Sequence, residues 1–265
     1  MNISSILGYV IAILVVYFGV VASISKPEIF LNSHALILVF GGTITAAFVS
    51  FPMAKLANIA RFFVKSVLFG KKLQNSALVQ NIIEGARVAK TNPNALTNVK
   101  MVHPFLNEAF SLVADGVLNE NDLEDVLQRR SEHFKTSYMQ DAKIFQSLSK
   151  YPPAFGLLGA VSGMVAMMLE LGSSKPEQIG AAMGVALIAT FWGIAVANII
   201  LLPLADYYMK LAVDDNYQRK IIVEGALLVK RRESPIVVIE KLNSYLPINE
   251  RLNSDGNSEK GRKAA

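Results

Sequence analysis

Small residues and a single hydroxyl recur at helical spacing in two long apolar stretches of the sequence. In each stretch they fall at positions i, i+4 and i+7, and they are Gly156, Ala160, Gly163, Ala186, Thr190 and Gly193. Residues at this spacing share one face of an α-helix. Such a face suits either close helix–helix packing in lipid or the wall of a narrow ion path with a hydroxyl oxygen beside it. The sequence leaves both interpretations open.

The chemistry that an ion path needs is incomplete in these stretches. A path through lipid usually contains a carboxylate or comparable group, but the acid nearest to them is Glu170, at the outer end of the first stretch. An acid would therefore have to come from another polypeptide. Ser162 has no histidine base in another apolar stretch, and the three scattered histidines lack the spacing of metal ligands. We expect no catalytic residues, no metal site and no cofactor.

Hydropathy indicates what holds these faces in place. The 265 residues are 52% hydrophobic, with a mean hydropathy of +0.37, which is too apolar for an ordinary soluble domain. Four segments reach the length of roughly 17–25 residues that a spanning helix needs, namely 6–22, 35–51, 154–171 and 179–204. The sequence therefore predicts an all-α integral membrane protein with four transmembrane helices.

The basic residues indicate the orientation of the chain. The connections 25–34 and 172–178 hold one lysine each, Lys26 and Lys175, whereas the region 52–153 carries many basic residues close to the spans. Because positive charge near span ends favours the cytoplasm, we expect both termini and this region inside. This bias accounts for the net charge of +5 without a nucleic-acid partner. Cysteine is absent, so no disulfide is possible.

Helical patterns continue outside the apolar segments. Asn121, with Glu124 three residues later, predicts a helix start, and the apolar face that follows meets no breaker before Pro152. A second long helix is expected after the fourth span. The predicted divisions are 1–51 (first two spans), 52–149 (cytoplasmic helical domain), 150–204 (last two spans), 205–250 (cytoplasmic helix) and 251–265 (disordered tail).

Prolines stand at the cytoplasmic ends of the last two spans. Pro152 and Pro153 precede the third span, where a proline either marks the first helical turn or forms a hinge. Pro203 has helical sequence on both sides, so it removes a backbone hydrogen bond and predicts a kink.

The stretches PPAFGLLGAVSGMVAMM, KPEQIGAAMGVALIATFWGI and NIILLPLADYY resemble the MotA/PomA-type flagellar stator A-subunits, within the wider MotA/TolQ/ExbB proton channel family. The resemblance implies a ring of five copies around two copies of a single-span B-subunit with an ion-binding aspartate, in the bacterial inner membrane. It implies hinges at Pro153 and Pro203, a pore-facing Thr190, and a rotor contact at Arg87 and Lys90. The alternatives for the function are a TolQ/ExbB-like proton-driven energiser of another cell-envelope machine and a non-conducting membrane scaffold. The alternative for the two basic residues is ordinary solvated helix surface.

Two departures from the pattern of the family matter. Thr97 or Asn98 occupies the place where the family often has a glutamate, so the charge pairing at the rotor is unlike the usual one. Sodium-driven members carry a threonine where this chain has Ala160, and sodium needs oxygen ligands to replace its hydration shell. The resemblance therefore predicts protons as the transported ion, with sodium as the alternative.

Overall fold

The computed structural model describes residues 3–21, 27–57, 59, 61, 73–91, 95–96, 101–170 and 176–253. Over these residues the regular structure is helical and contains no β-strand, which confirms the predicted fold class. The α-helices, in chain order, are α1 (Ile3–Val16), α2 (Ser33–Ser50), α3 (Asn75–Thr91), α4 (Pro104–Asp115), α5 (Glu120–Leu148), α6 (Tyr151–Glu170), α7 (Pro176–Ala195), α8 (Leu202–Lys230) and α9 (Pro235–Asn243).

Three segments of wider π-helical winding accompany the membrane helices. They extend α1 at Tyr17–Val21, lie inside α2 at Ile37–Gly41, and join α7 to α8 at Val196–Leu201. Single π-helical turns are rare and often lie at functional sites. None of these π-helical segments is predicted from the sequence.

Apolar helices occupy all four predicted span positions. Within the described part of the chain, three helical stretches are long and apolar enough to cross a membrane: Ser33–Ser50, Glu120–Leu169 and Ala182–Lys230. The first predicted span contains a shorter apolar helix, Leu7–Gly19. By length and composition the chain is a multi-pass membrane protein.

By packing, the chain divides into two compact units. The first unit comprises Met1–Lys72 and Met139–Met209, and the second comprises Leu73–Tyr138 and Lys210–Ala265. Helices α5 and α8 therefore contribute residues to both. The five ranges predicted from the sequence divide the chain at the expected membrane surface, whereas these two units are defined by packing. The boundaries of the five ranges therefore stay a prediction.

The second unit is built on an apolar core shared by α3, α4, α8 and α9. Among its fully buried side chains are Phe110, Leu78, Ile82 and Ile222. Gly225 of α8 lets Ile82 of α3 approach, because an added Cβ there would lie 2.7 Å from Ile82 Cγ2. From the sequence, apolar residues at helical spacing between Ala77 and Ala89 predict one helix, and FLNEAFSLVADG predicts a second helix that Gly116 ends. Both predictions are confirmed by α3 and α4.

The long helix α5 differs from its prediction at both ends. The Oδ1 of Asn119, rather than Asn121, accepts the backbone N–H of Asp122 at 2.9 Å, so the prediction of Asn121 as the cap was wrong by two residues. At the other end, Ser149 and Lys150 form a turn between α5 and α6. Despite this two-residue turn, α5 and α6 together form the helical stretch Glu120–Leu169.

A buried cation joins three helices of the second unit. The guanidinium of Arg219 in α8 lies between the rings of Phe105 in α4 and Phe134 in α5, 4.5 and 4.0 Å from their centres. Its Nε donates to Asp215 Oδ2 at 2.6 Å, and His103 Nε2 lies 3.5 Å from the other oxygen of that carboxylate. Burial favours protonation of Asp215, but hydrogen bonds from His103 and Arg219 outweigh it and hold the pKa of this carboxyl below its usual range.

This lowered pKa predicts a specific acid sensitivity. A carboxyl whose pKa is lower in the folded state adds stability that is fully present above its unfolded value, about 3.9, and is lost as the pH falls through the folded value. We expect Asp215→Asn to be less stable than wild type at neutral pH and to lose less stability on acidification. Thermal unfolding of the purified protein from pH 7 to pH 3 measures this, with Asp125→Asn as the control, because Asp125 forms an exposed i, i+4 pair with Arg129. Equal acid dependence of wild type and Asp215→Asn would contradict the prediction.

Candidate functional site: the seam between α6 and α7

Helices α6 and α7 touch backbone to backbone along one line, which we call the seam. An added Cβ at Gly156 would lie 2.8 Å from the carbonyl oxygen of Ala189, and one at Gly193 would lie 2.6 Å from that of Pro152. Real Cβ contacts of this length essentially never occur. Glycine is therefore required for the approach of the two helices.

The seam continues towards the C-terminal end of α6. There an added Cβ at Gly163 would lie 2.8 Å from the Cβ of Ala186, and one at Gly159 would lie 2.5 Å from the Cβ of Ala189. Higher numbers in α6 meet lower numbers in α7, so the helices are antiparallel. Their contact is made of small residues over about two turns of each helix.

The side-chain oxygen at the seam belongs to Thr190. Its hydroxyl is within 3.2 Å of the Ala186 carbonyl oxygen in its own helix and 3.4 Å of the Gly156 carbonyl oxygen in α6. Ser162 instead donates within α6, to the Gly159 carbonyl at 2.9 Å, from an exposed position. Thr190 is thus the hydroxyl that bridges the two helices.

Five of the six residues predicted to line a path meet one another at the seam, namely Gly156, Gly163, Ala186, Thr190 and Gly193. Gly156, Gly163, Ala186 and Gly193 are buried at the seam, while Ala160 and Thr190 are half-buried. Packing within this chain accounts for the four buried residues. A role of any of the six in ion passage stays a prediction.

The prolines lie where helices begin. Pro152 and Pro153 occupy the first turn of α6, and Pro203 is the second residue of α8, directly after the π-helical segment. At the end of this segment the Leu202 N–H donates to the Ala197 carbonyl, five residues back. Proline and π-helical winding are both known causes of bending, so the location is compatible with the predicted hinge, which stays a prediction.

Side chains near these prolines pack tightly. Tyr208, fully buried five residues after Pro203, lies 5.2 Å from Phe145 between ring centres and donates its hydroxyl to the Ile59 carbonyl at 3.1 Å. Asn198 lies within the π-helical segment and donates to the Ile194 carbonyl at 3.0 Å. Asn198 is not among the residues predicted from the sequence, although an amide inside a predicted span is a signal for it.

The predicted rotor residues belong to the second unit. Arg87 and Lys90 are both exposed and lie one turn apart on the same side of α3. Thr97 and Asn98 lie outside the described residues, so the unusual charge pairing is untested. Within the described ranges, no three histidine or acidic side chains are grouped to hold a metal.

Comparison with known proteins gives consistent relatives. The model of the MotA/TolQ/ExbB proton channel family matches residues 98–220. Motility protein A of Bacillus subtilis is 26% identical over 99% of this chain and 98% of that protein. Chemotaxis protein PomA of Vibrio alginolyticus is 25% identical over 82% of this chain and 85% of PomA.

The solved structures agree in fold. A chain of the flagellar MotAB stator complex from Bacillus subtilis superposes with a TM-score of 0.83 at 25% identity, over 94% of this chain and 98% of that chain. Sequence, seam and fold agree in their similarity to the MotA/TolQ/ExbB proton channel family, whose model matches residues 98–220.

Proposed function

We propose that this chain is the A-subunit of a flagellar stator, which couples ion flow across the inner membrane to rotation of the flagellum. The observation that carries the proposal is the close seam of α6 and α7 with Thr190 as its bridging hydroxyl, in a chain alignable with Motility protein A over nearly its full length. The seam supplies a narrow wall and an oxygen but no acid. A single-span B-subunit supplies the carboxylate.

The assembly that fits this role has five copies of the chain around two B-subunits. The placement of basic residues around 52–153 supports an inner-membrane orientation with both termini in the cytoplasm. In this arrangement the second unit meets the rotor, and Pro153 and Pro203 act as hinges between the spans and the cytoplasmic helices.

Deletion of the gene in its own bacterium tests the proposal. The expected result is cells with assembled but paralysed flagella, restored to swimming by the intact chain. Normal swimming together with a defect of the cell envelope would contradict the proposal and favour the TolQ/ExbB-like alternative, since the matched family includes those proteins.

Reversing the charge of Lys90 is expected to weaken rotor engagement without blocking ion flux. Lys90 is exposed on α3, and exposed charges guide docking more than they stabilise folds. Swimming speed and ion leakage of Lys90→Glu measure the two effects, with Lys135→Glu, exposed on α5, as the control. A change in ion leakage at normal protein level would contradict the prediction that Lys90 acts at the rotor contact and not in ion flow.

The proposed transported ion is the proton. Sodium has to be given several oxygen ligands along a path, and Ala160 offers no side-chain oxygen beside the seam. The motor is expected to rotate at full speed in sodium-free medium and to slow when the proton gradient collapses. Speed that follows external sodium and ignores the proton gradient would overturn this assignment.

A further inference from the structure

The only tryptophan of the chain connects two distant parts of the first unit. The indole N–H of Trp192 in α7 donates to the backbone carbonyl of Phe30 at 2.7 Å. Phe30 belongs to the short 3₁₀-helical segment Pro27–Leu31, which precedes α2. The connection between the first two membrane helices is thereby attached to the fourth.

The attachment lies far along α7 from the first residue of that helix. Trp192 is sixteen residues beyond Pro176, the first residue of α7, or roughly 24 Å along the helix axis. In lipid an indole N–H without an acceptor costs free energy, because no water is available to bond it. The Phe30 carbonyl removes that cost only while the segment stays against α7.

The rings around the indole add contacts of a different kind. Phe30 packs edge-on against Phe191, with ring centres 5.1 Å apart, and Phe40 of α2 lies 6.3 Å from Trp192. These contacts involve side chains alone. The hydrogen bond, by contrast, uses a backbone acceptor, so the two kinds of contact can be removed separately.

The side of α7 from which the Trp192 side chain projects also determines the side from which the Thr190 side chain projects. Two residues along an α-helix correspond to about 200° of rotation, so the two side chains project from opposite sides of α7. Trp192 is bound on the side of Phe30, and Thr190 bonds the Gly156 carbonyl in α6 on the other. Rotation of α7 that loosens one of these bonds also displaces the other.

We propose that Trp192 is a positioning residue: its bond to the Phe30 carbonyl holds α7 in the rotation that keeps the Thr190 hydroxyl at the seam. This inference rests on the proposed function, because Thr190 then faces the ion path. The segment Pro27–Leu31 is the fixed point against which α7 is oriented. Loss of the bond to this segment weakens ion binding, although every side chain of the seam remains.

A matched pair of variants tests the proposal in cells. Trp192→Phe removes the donor and keeps an aromatic ring, whereas Phe30→Leu removes a ring and keeps the backbone acceptor. The proton-motive force that gives half-maximal speed should rise in Trp192→Phe, with the apparent ion affinity weakened about threefold to tenfold, the worth of one hydrogen bond. Phe30→Leu should match wild type, and both variants should reach wild-type membrane levels.

The outcomes separate this inference from the proposed function. Absence of ion-dependent rotation in wild type would remove the proposed function itself. Rotation of wild type with an unchanged half-maximal proton-motive force in Trp192→Phe, or an equal shift in Phe30→Leu, would overturn the positioning role alone.

The fluorescence of Trp192, the one tryptophan of the chain, reports on the environment of the indole. Phe30→Leu should keep a blue-shifted emission. A red-shifted, water-exposed emission in wild type would also overturn the inference.

Discussion

Replacing Gly193 with leucine is expected to abolish flagellar rotation. Even a single Cβ at this position would lie 2.6 Å from the Pro152 carbonyl oxygen and 3.2 Å from the Gly156 Cα. Both neighbours are backbone atoms, so they cannot move aside as a flexible side chain can. The helices must separate, and overpacking of this kind costs about 1–3 kcal/mol or more. The Thr190 hydroxyl would then lose its bridge to α6.

A matched pair of alanine variants isolates the effect from a general intolerance of α7 to substitution. Gly193→Ala adds the single clashing carbon, whereas Gly180→Ala adds it in the same helix where, among the described residues, no atom outside the backbone of that helix lies within 4 Å. Swimming speed at equal membrane level should fall sharply in the first and stay near wild type in the second. Normal swimming of both Gly193 variants would exclude the seam from the mechanism.

Replacing Arg219 with alanine is expected to destabilise the second unit by about 3 kcal/mol, since removal of one partner leaves a largely buried charge without compensation. Asp215 would keep its carboxylate with only His103 beside it. The stacking on Phe105 and Phe134 would be lost as well, which adds to the cost. Hydrogen exchange of the α4 and α8 amides in the full-length protein measures the change.

Arg129→Ala is the control for this variant. Arg129 forms the same i, i+4 pair with an aspartate, Asp125, but its side chain is 78% exposed, against 6% for Arg219. An exposed pair contributes about 0–1 kcal/mol, so little change is expected. A similar loss in both variants would mean that the burial of Arg219 is unimportant.

Much of this architecture is readable from the sequence because it depends on local patterns. Long apolar runs predicted the membrane helices, and helical periodicity predicted α3 and α4. Gly116 was predicted to end α4, and it adopts a positive φ of 67°, a conformation that favours glycine. The seam glycines were recognised as one face of each helix, since spacing alone determines which residues share a face.

Other features are not indicated by any local pattern, and two of them depend on residues far apart in sequence. The sandwich of Arg219 between Phe105 and Phe134 requires three helices to meet. The bond from Trp192 to Phe30 requires the first connection to lie against the last span. The π-helical segment Val196–Leu201 differs from an α-helix only in its backbone hydrogen bonds, and hydropathy does not indicate which pattern forms.

The central claim is that this chain forms a path for protons only together with a partner that carries the acid. Proton uptake into liposomes measures it for the chain alone, for the chain with its B-subunit, and for the complex in which the membrane aspartate of the B-subunit is changed to asparagine. We expect uptake in the second sample and none in the other two. Uptake by the chain alone, or undiminished uptake with asparagine in the partner, would contradict it.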